Sequence, residues 1–360
     1  MTAPLLVEPV AASSAPLPHR IAIVTDAWTP QVNGVVRTLT TTVDTLRARG
    51  HELLVIAPDR FASLPCPTYP EIRLSLARRS AIARLLDDFA PEAIHIATEG
   101  PLGLIARRLC LRRGWPFTTA YHTQFPAYVA RRTGLPESLF WRYIRWFHRP
   151  AARVMVATAS IEAELASRGL TKAHRWSRGV DLAQFTPDRP APAEFAGLER
   201  PIQLYVGRIA VEKNIEAFLG GRHPGSKVVV GEGPARATLE ARFPDAIFLG
   251  RRSGAALAAC YAAADVFVFP SRTDTFGLVI VEALACGTPV AAFPVPGPID
   301  IVTDASGALS EDLDRAIDAA LFCAPSECVA RGRAFSWDRA TDQFVDGLID
   351  MPLTAKAVRA

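Results

Sequence analysis

Short, continuous runs of apolar and β-branched residues recur along the chain, and longer stretches with helical spacing separate them. A parallel strand covered by helices on both faces has this pattern, because neither of its faces is left for polar residues. The first five runs are IAIVTD at 21–26, ELLVIAP at 52–58, AIHIAT at 93–98, PFTTAYH at 116–122 and RVMVAT at 153–158. They predict five buried strands in the first half of the chain.

The same series starts again in the second half. Its runs are IQLYVGR at 202–208, KVVVGEG at 227–233, AIFLG at 246–250, DVFVFPS at 265–271 and PVAAFP at 289–294. Helical spacing appears between the runs, for example at 35–49, 80–89, 101–113, 159–168 and about 278–285. Two successive series of this kind predict an α/β protein with two doubly wound, Rossmann-like parallel-sheet domains.

The stretch at 178–201 separates the two series. It holds four prolines and shows no periodicity, so we expect it to be a linker. The chain then divides into a first domain at 20–177, this linker, and a second domain at 202–335. Residues 1–19 lack a basic start and a sustained apolar run, which predicts a disordered tail rather than a signal peptide.

Composition agrees with two cytosolic globular domains. The chain has 360 residues, of which 49% are hydrophobic and 21% charged, enough to bury a core in each domain. No run of 18 or more uncharged apolar residues predicts a membrane span. The six cysteines form no CxxC pair, so we expect small core residues rather than a zinc site.

Charge is distributed unevenly between the two halves. Residues 1–178 hold 23 Lys and Arg against 13 Asp and Glu, whereas the rest of the chain holds 17 against 23. A basic first half predicts that this half meets an anionic surface or ligand. Nucleic acid and anionic lipid both fit at this point.

Ligands of doubly wound sheets bind at the carboxyl ends of the strands, so the loops there are where chemistry is expected. Asn33 and Gly34 follow the first strand directly before a helix, where the backbone can approach an anion closely. Taken alone this signal is weak, and a plain turn is the favoured explanation of the pair. After the first strand of the second domain come Arg208 and Lys213, two cations suited to a diphosphate. An ordinary solvated pair is the alternative.

Two acids flank the helix in PSRTDTFGLVIVEALACGTPV at 270–290. Asp274 lies in the loop after a strand, and Glu282 lies one turn into the next helix. Carboxylates suit vicinal hydroxyls, and the amides of 275–277 at the helix start suit a phosphate. The ligand predicted is a sugar at one end and a ribose at the other, joined by phosphates. A buried helix with two acids at its edges is the alternative.

These motifs resemble those of the retaining glycosyltransferases of the GT-B fold, family 4. The family pattern E-x7-E reads DTFGLVIVE here, the preceding element reads GRIAVEKN, and RGVDLAQFTP is similar to the family's junction between domains. The terminal SWDRATDQFVDGLI resembles the helix that crosses back to the first domain, which places such a helix at 336–350. The resemblance covers 21 to about 349 and implies two domains with a cleft between them.

The resemblance also implies roles for individual residues. Arg208 and Lys213 match the cations at the donor diphosphate, and Glu282 matches the acid that holds the nucleotide ribose. Asp274 matches the catalytic-site acid near the reacting carbon, where the family usually has Glu. His122, in YHTQFPAYV, matches the histidine beside the transferred sugar. The remaining donor-binding matches are Asn33, Gly34, Phe276, Gly277 and Leu278.

Within the family, four stretches look most similar to sulfoquinovosyl and glycosyl transferases acting on diacylglycerol and to lipid-directed mannosyltransferases. They are TDAWTPQVNGVVRTL, TEGPLG, YHTQFPAY and WSRGVDLAQF. Such enzymes imply a membrane-facing first domain, and 131–149, rich in Arg, Trp and Tyr, has the composition of an interfacial helix. We expect its membrane contacts at Arg142, Arg145, Trp146 and Arg149. A helix packed on the sheet with a solvated basic side is the alternative.

The sequence therefore predicts a retaining, metal-independent hexosyltransferase at the inner face of the cytoplasmic membrane. Its donor is a nucleotide sugar, with a UDP-sugar favoured, and its acceptor is a membrane lipid such as diacylglycerol. GDP-mannose as donor, or a soluble or polysaccharide acceptor, stays open. A nucleotide-sugar isomerase and a non-catalytic lipid-binding module are further alternatives. Nucleic acid is not an expected partner, because no known reader module is present, and no cofactor is expected.

Overall fold

The computed structural model describes residues 18–31, 33–66, 69–122, 126, 134 and 136–351. The predicted tail at 1–19 therefore lies outside the described residues except for Pro18 and His19. So do 131–133 and 135 of the predicted interfacial segment, and the six residues that follow His122 are described only at Pro126. All ten predicted strands are present, so the α/β prediction with two parallel sheets is confirmed.

The first sheet has six parallel strands. They are β1 (Arg20–Val24), β2 (Glu52–Ile56), β5 (Ala93–Ile96), β6 (Thr118–Tyr121), β7 (Arg153–Val156) and β8 (Ala173–Arg175), in the order β2-β1-β5-β6-β7-β8. An antiparallel hairpin of β3 (Ser63–Cys66) and β4 (Tyr69–Ser75) lies outside this sheet. The central strands are buried along their length, as their unbroken apolar runs require.

Five helices of this half of the chain have described bounds. They are α1 (Gly34–Ala48), α2 (Arg79–Phe89), α3 (Pro101–Arg113), α4 (Glu137–His148) and α5 (Ala159–Ser167), with a 3₁₀ turn at Pro58–Arg60. Local residues set several of their starts. The side chain of Thr158 accepts a hydrogen bond from the amide of Ile161 and so caps α5. Pro101 begins α3, where its missing amide hydrogen costs nothing.

The second sheet also has six parallel strands. They are β9 (Gln203–Val206), β10 (Lys227–Val230), β11 (Ile247–Gly250), β12 (Val266–Phe269), β13 (Val290–Ala292) and β14 (Gly307–Leu309), in the order β11-β10-β9-β12-β13-β14. Its helices are α6 (Ile215–Leu219), α7 (Arg236–Arg242), α8 (Gly254–Ala263), α9 (Leu278–Ala285), α10 (Pro298–Ile301), α11 (Leu313–Ala320) and α12 (Pro325–Arg333). Single 3₁₀ turns occur at Ala193–Phe195 and Val211–Lys213.

The last helix, α13 (Trp337–Gly347), packs against the first sheet rather than the second. Ser336 caps it by accepting from the amide of Arg339. Phe344 is fully buried, 4.8 Å from the ring of Trp176. A Cβ on Gly179 would lie 2.3 Å from the amide nitrogen of Trp337, so the segment at 178–201 and the start of α13 touch through backbone. The amphipathic face of α13 thus ties the end of the chain to the first domain.

Several elements were not predicted from the apolar runs. The hairpin β3–β4 and the edge strands β8 and β14 are short or partly exposed, so they lack a long buried run. The segment predicted as a linker places Val180, Phe185 and Phe195 in the core of the second domain. Four cysteines are buried as small core residues, Cys110, Cys260, Cys286 and Cys328. Among the helices of the described residues, none combines the length and the apolar character that crossing a membrane demands.

Candidate active site

The candidate site lies where the strand order of the second sheet reverses. The chain runs outward from β9 to β10 and β11, then returns to β12 on the other side of β9. The connections that follow β9 and β12 lead away on opposite sides of this point, and the crevice expected there at the carboxyl edge is the usual ligand position of such sheets. Arg208 and Lys213 lie in the first loop, and Asp274 lies in the second.

Lys213 and Asp274 form an ion pair between these two loops. The Lys213 ammonium lies 2.7 Å and 2.9 Å from the two carboxylate oxygens of Asp274. Their side chains are 26% and 24% exposed, so solvent still reaches the pair. Burial raises the pKa of Asp274, but the ammonium of Lys213 outweighs it, and the pKa is lowered overall. The residue predicted to bind the phosphate, Lys213, thus pairs with the residue predicted to bind the sugar, Asp274.

Glycines allow the loops after β9 and β10 to touch through backbone. A Cβ on Gly231 would lie 1.8 Å from the carbonyl oxygen of Gly207, so no larger residue fits without moving the chain. Arg208 follows Gly207 and is exposed at the crevice. Its carbonyl accepts a hydrogen bond from the buried Tyr205 hydroxyl at 2.9 Å, which fixes the backbone beneath its side chain.

The start of α9 carries three of the predicted donor-binding residues. Gly277 is the N-cap with φ of +90°, a conformation that favours glycine. Phe276 is buried beneath the loop, while Leu278 begins the helix. Across the cleft, a Cβ on Gly34 would lie 3.6 Å from Leu278 Cδ1. The first turns of α1 and α9 therefore meet, one from each domain.

Glu282 lies one turn into α9, and both of its carboxylate oxygens are engaged. Oε1 pairs with the guanidinium of Arg37 from α1, and Oε2 accepts from the Tyr261 hydroxyl at 3.0 Å. The Glu282 side chain is 2% exposed, and burial raises its pKa against the opposing effects of Arg37 and Tyr261. The acid predicted to hold the ribose thus bridges the two domains.

Asn33, predicted to bind the donor, caps helix α1. Its side-chain oxygen accepts a hydrogen bond from the amide of Val36 at 2.9 Å.

His122 follows β6 and faces the second domain across the cleft. Its carbonyl accepts a hydrogen bond from the Thr275 hydroxyl at 2.6 Å. Its Nδ1 lies 2.9 Å from a guanidinium nitrogen of Arg178. Burial, with a smaller contribution from Arg178, lowers its pKa well below the ordinary value. His122 is therefore a neutral imidazole placed next to the loop that carries Asp274.

The predicted membrane residues lie apart from this cleft, on α4 and just beyond it. Arg142, Arg145, Trp146 and Arg149 line a cavity of about 590 Å³ together with Arg107. The guanidinium of Arg107 stacks 4.0 Å above the Trp146 ring. The other face of α4 is buried: Trp141, Ile144 and Phe147 belong to the core of the first domain. The aromatic content of this segment thus serves the core for the most part, because one face of α4 must cover the sheet.

The structure shows three contacts between predicted site residues or segments that are far apart in the sequence. Lys213 meets Asp274, Gly34 meets Leu278, and His122 meets the loop after β12. It also adds Arg37, Tyr261, Thr275 and Arg178, which the sequence reading did not select. Arg37 stands one turn after Gly34 on the same helix face, a spacing that could have suggested it. Arg178 and Thr275 lie within the quoted motifs RGVDLAQFTP and DTFGLVIVE, but their side chains were assigned no role, and Tyr261 lies in no quoted motif.

Family models match both halves of the chain. The model described as Glycosyltransferase Family 4 matches residues 32–184, and the model described as Glycosyl transferases group 1 matches residues 200–324. The chain is 34% identical over 340 residues to a GDP-mannose-dependent alpha-mannosyltransferase of Mycolicibacterium smegmatis, which covers 88% of this chain and 90% of that protein. The chain belongs to glycosyltransferase family 4. It is a glycosyltransferase that uses a nucleotide sugar.

Two further relatives and one solved structure extend the comparison. A sulfoquinovosyl transferase of Arabidopsis thaliana is 31% identical, over 91% of this chain and 69% of that protein. An alpha-monoglucosyldiacylglycerol synthase of Streptococcus pneumoniae is 27% identical, over 85% of this chain and 79% of that protein. The structure of a sucrose-phosphate synthase from Thermosynechococcus elongatus superposes with a TM-score of 0.72 at 22% identity, over 90% of this chain and 96% of that one. This last likeness concerns the fold, two Rossmann-like domains.

Proposed function

We propose that this glycosyltransferase moves a hexose from a nucleotide sugar to a membrane lipid such as diacylglycerol. The observation that carries the proposal is the pair of surfaces described above. A crevice lined by Lys213, Asp274 and Glu282 suits a nucleotide sugar. A separate cavity lined by four arginines lies on the first domain, where an anionic lipid surface would bind it.

In this proposal the cations of the crevice bind the donor diphosphate without a metal ion. Arg208 supplies a planar fork, Lys213 a point charge, and the amides at the start of α9 further positive charge. Glu282 holds the ribose, and Asp274 and His122 contact the transferred sugar. The reaction retains configuration by same-face substitution, in which the leaving phosphate accepts the proton of the acceptor hydroxyl. The anomeric configuration of the product, read by NMR, tests retention, and activity in EDTA tests the metal.

The donor has two candidates. The sequence resemblance to transferases acting on diacylglycerol favours a UDP-sugar. A relative that is 34% identical over 88% of the chain carries the name GDP-mannose-dependent alpha-mannosyltransferase, and this favours GDP-mannose as the second candidate. The two donors differ in the base, which none of Glu282, Lys213 and Asp274 contacts in this proposal, and they differ in the transferred sugar unless the UDP-sugar is UDP-mannose. A screen of both donors with diacylglycerol liposomes, with products identified by mass, separates them.

The acceptor surface is tested at Arg142, Arg145 and Arg149. All three are exposed, and none pairs with a carboxylate among the residues that the structure describes. Each basic residue near an anionic surface contributes about 1 kcal/mol, so replacing the three with Ser is expected to weaken liposome binding about a hundredfold. Donor affinity should stay unchanged, and salt should weaken the wild-type attachment.

The matched control replaces three exposed arginines of the second domain with Ser, namely Arg222, Arg251 and Arg315. It removes the same net charge from the second domain. Equal loss of liposome binding in both triple variants would mean that net charge alone is responsible. Wild-type protein that ignores anionic liposomes and glycosylates a soluble acceptor would rule out the lipid proposal.

A further inference from the structure

We propose that Arg178 is a positioning residue that fixes His122 in the tautomer with its proton on Nε2. A guanidinium only donates hydrogen bonds. Because a guanidinium nitrogen of Arg178 lies 2.9 Å from Nδ1 of His122, that ring nitrogen accepts the bond and carries no proton. In a neutral imidazole the proton then resides on Nε2.

The structure holds the Arg178 guanidinium rigidly enough for this task. Arg178 is 5% exposed, and its other terminal nitrogen donates to the carbonyls of Trp176 at 2.6 Å and Ser177 at 3.0 Å. The guanidinium also stacks 4.6 Å above the Trp176 ring. Burial lowers the pKa of Arg178 to about 9, so the group stays protonated at neutral pH and keeps its role as donor.

The surroundings keep the His122 ring neutral. Arg178 faces it from the segment after β8, and two further histidines face it from β5 and α4. His95 is buried, and burial lowers its pKa to about 3; its Nδ1 lies 2.9 Å from the Thr118 hydroxyl. His148 contacts Thr119 at 2.8 Å and Glu99 at 3.1 Å. Burial and the Arg178 cation oppose a second proton on His122, so only the one N–H is present near pH 7.

The Nε2–H of His122 can donate a hydrogen bond only when a ligand supplies an acceptor. Nε2 of His122 is buried and makes no hydrogen bond within the described residues. A buried donor without an acceptor costs free energy, which an incoming hydroxyl recovers. This step rests on the proposed function, which places His122 beside the transferred sugar. A sugar hydroxyl would accept the Nε2–H bond, and Arg178 would ensure that the ring presents a donor there rather than a lone pair.

The direct test reads the ring nitrogens without any assay of transfer. Long-range proton–nitrogen NMR of protein labelled with ¹⁵N-histidine distinguishes a protonated from an unprotonated ring nitrogen, and His122→Gln assigns the signals. In the wild type, Nε2 is expected to be protonated and Nδ1 bare from pH 6 to 8. In Arg178→Met, both tautomers are expected, and the His122 pKa should rise because a nearby cation is lost.

Three further variants make the outcome decisive. Arg178→Lys keeps a group that only donates and should preserve the Nε2–H tautomer, whereas Arg178→Gln, whose amide can also accept, should let both tautomers appear and replaces the Met variant if that one fails to fold. Arg331→Met is the control: its guanidinium also binds carbonyls, those of Ile301 and Asp300, and makes no hydrogen bond to a histidine among the described residues. The control should leave the His122 signals unchanged. A protonated Nδ1 in the wild type, or an unchanged ring in Arg178→Met, overturns the inference.

Transfer assays then separate this inference from the proposed function. If both hold, His122→Ala and Arg178→Met each lower kcat by roughly tenfold to a hundredfold, and the double variant loses no more than His122→Ala alone. Arg178→Lys should recover most of the rate. Full additivity in the double variant would contradict positioning through His122. If the tautomer responds as expected but His122→Ala transfers normally, the role of His122 at the sugar fails while the control by Arg178 stands.

Discussion

Two acid–cation pairs, Lys213–Asp274 and Arg37–Glu282, occupy the same edge of the second sheet but differ in construction. The first joins two loops of one domain and is about a quarter exposed on each side. The second joins α9 to α1 of the other domain, and its carboxylate is almost fully buried. The pKa of Asp274 is lowered, whereas burial raises that of Glu282.

This difference between an intradomain and an interdomain ion pair shows which part of the candidate site the second domain can form alone. Lys213 and Asp274 meet whenever the second domain is folded, because both loops start from adjacent strands β9 and β12. Glu282 reaches its full set of partners only when α1 is in place. A nucleotide whose ribose hydroxyls donate hydrogen bonds to the Glu282 carboxylate must share that carboxylate with Arg37. In the proposed function, the donor site is therefore completed by the first domain.

The largest expected effect comes from removing the cations of the intradomain site. Lys213→Ala and Arg208→Ala should each cost about 2–4 kcal/mol of transition-state stabilisation, similar to the loss of one preorganised donor to a developing charge. Steady-state kcat/KM measures this loss. Arg242→Ala is the control, since it removes an exposed surface pair with Glu216. Near-normal rates in both site variants would disprove the phosphate assignment.

Arg37→Met tests the cross-domain pair. It leaves a buried carboxylate with one partner fewer, so the free energy of unfolding should fall by about 1–3 kcal/mol. Glu282→Gln added to Arg37→Met should restore part of this loss, because the unpaired charge is gone. Urea unfolding of the four proteins completes the cycle. Purely additive effects would show that the contact between α1 and α9 contributes no coupling.

Asp274→Glu sharpens the comparison at the sugar end. The longer side chain restores the length usual in the family, and it displaces the carboxylate relative to Lys213 and the reacting sugar. A change of about tenfold in the ratio of kcat/KM between UDP-glucose and GDP-mannose is expected, the scale of one altered polar contact. An unchanged ratio would leave Asp274 as a partner of Lys213 with no role in reading the sugar.

The smallest effect concerns acid stability. A lowered pKa in the folded state means that the unfolded chain binds the proton more readily, so the contribution of Asp274 is present above its ordinary value of 3.8 and disappears as the pH falls through the folded pKa. Compared with Asp274→Asn, the wild type should keep its advantage at pH 6 and lose it progressively once the pH falls below 3.8. Parallel stability curves from urea titrations would contradict the ion pair.

Sequence predicted more of the scaffold than of the site. Buried strands such as β5 and β12 consist entirely of apolar or β-branched residues apart from His95, so their pattern identifies them without tertiary information. Edge strands β8 and β14 carry no such run and were missed. Packing of Phe185 and Phe195 into the second core was also invisible, since irregular segments have no period to read.

In the candidate site, the spacing of motifs along the sequence identified several functional positions but not the side chains that contact them. The strand-end positions of Lys213 and Asp274 follow from sheet topology, so their proximity could be anticipated. The contacts Arg37–Glu282 and Arg178–His122 join residues 245 and 56 positions apart in the chain. Such contacts depend on how the two domains, and the segment between them, come together. No local pattern encodes that arrangement.

The most direct test of the account is calorimetric titration of UDP and GDP into the wild type, Glu282→Gln and Glu240→Gln. Glu240 pairs with Arg236 within one helix at the surface, so its variant removes an acid with no part in the crevice. We predict that one nucleotide binds the wild type and Glu240→Gln equally and binds Glu282→Gln at least about tenfold more weakly, the loss of one charged hydrogen bond. Equal affinity in all three proteins would contradict the placement of the donor at this edge of the second sheet.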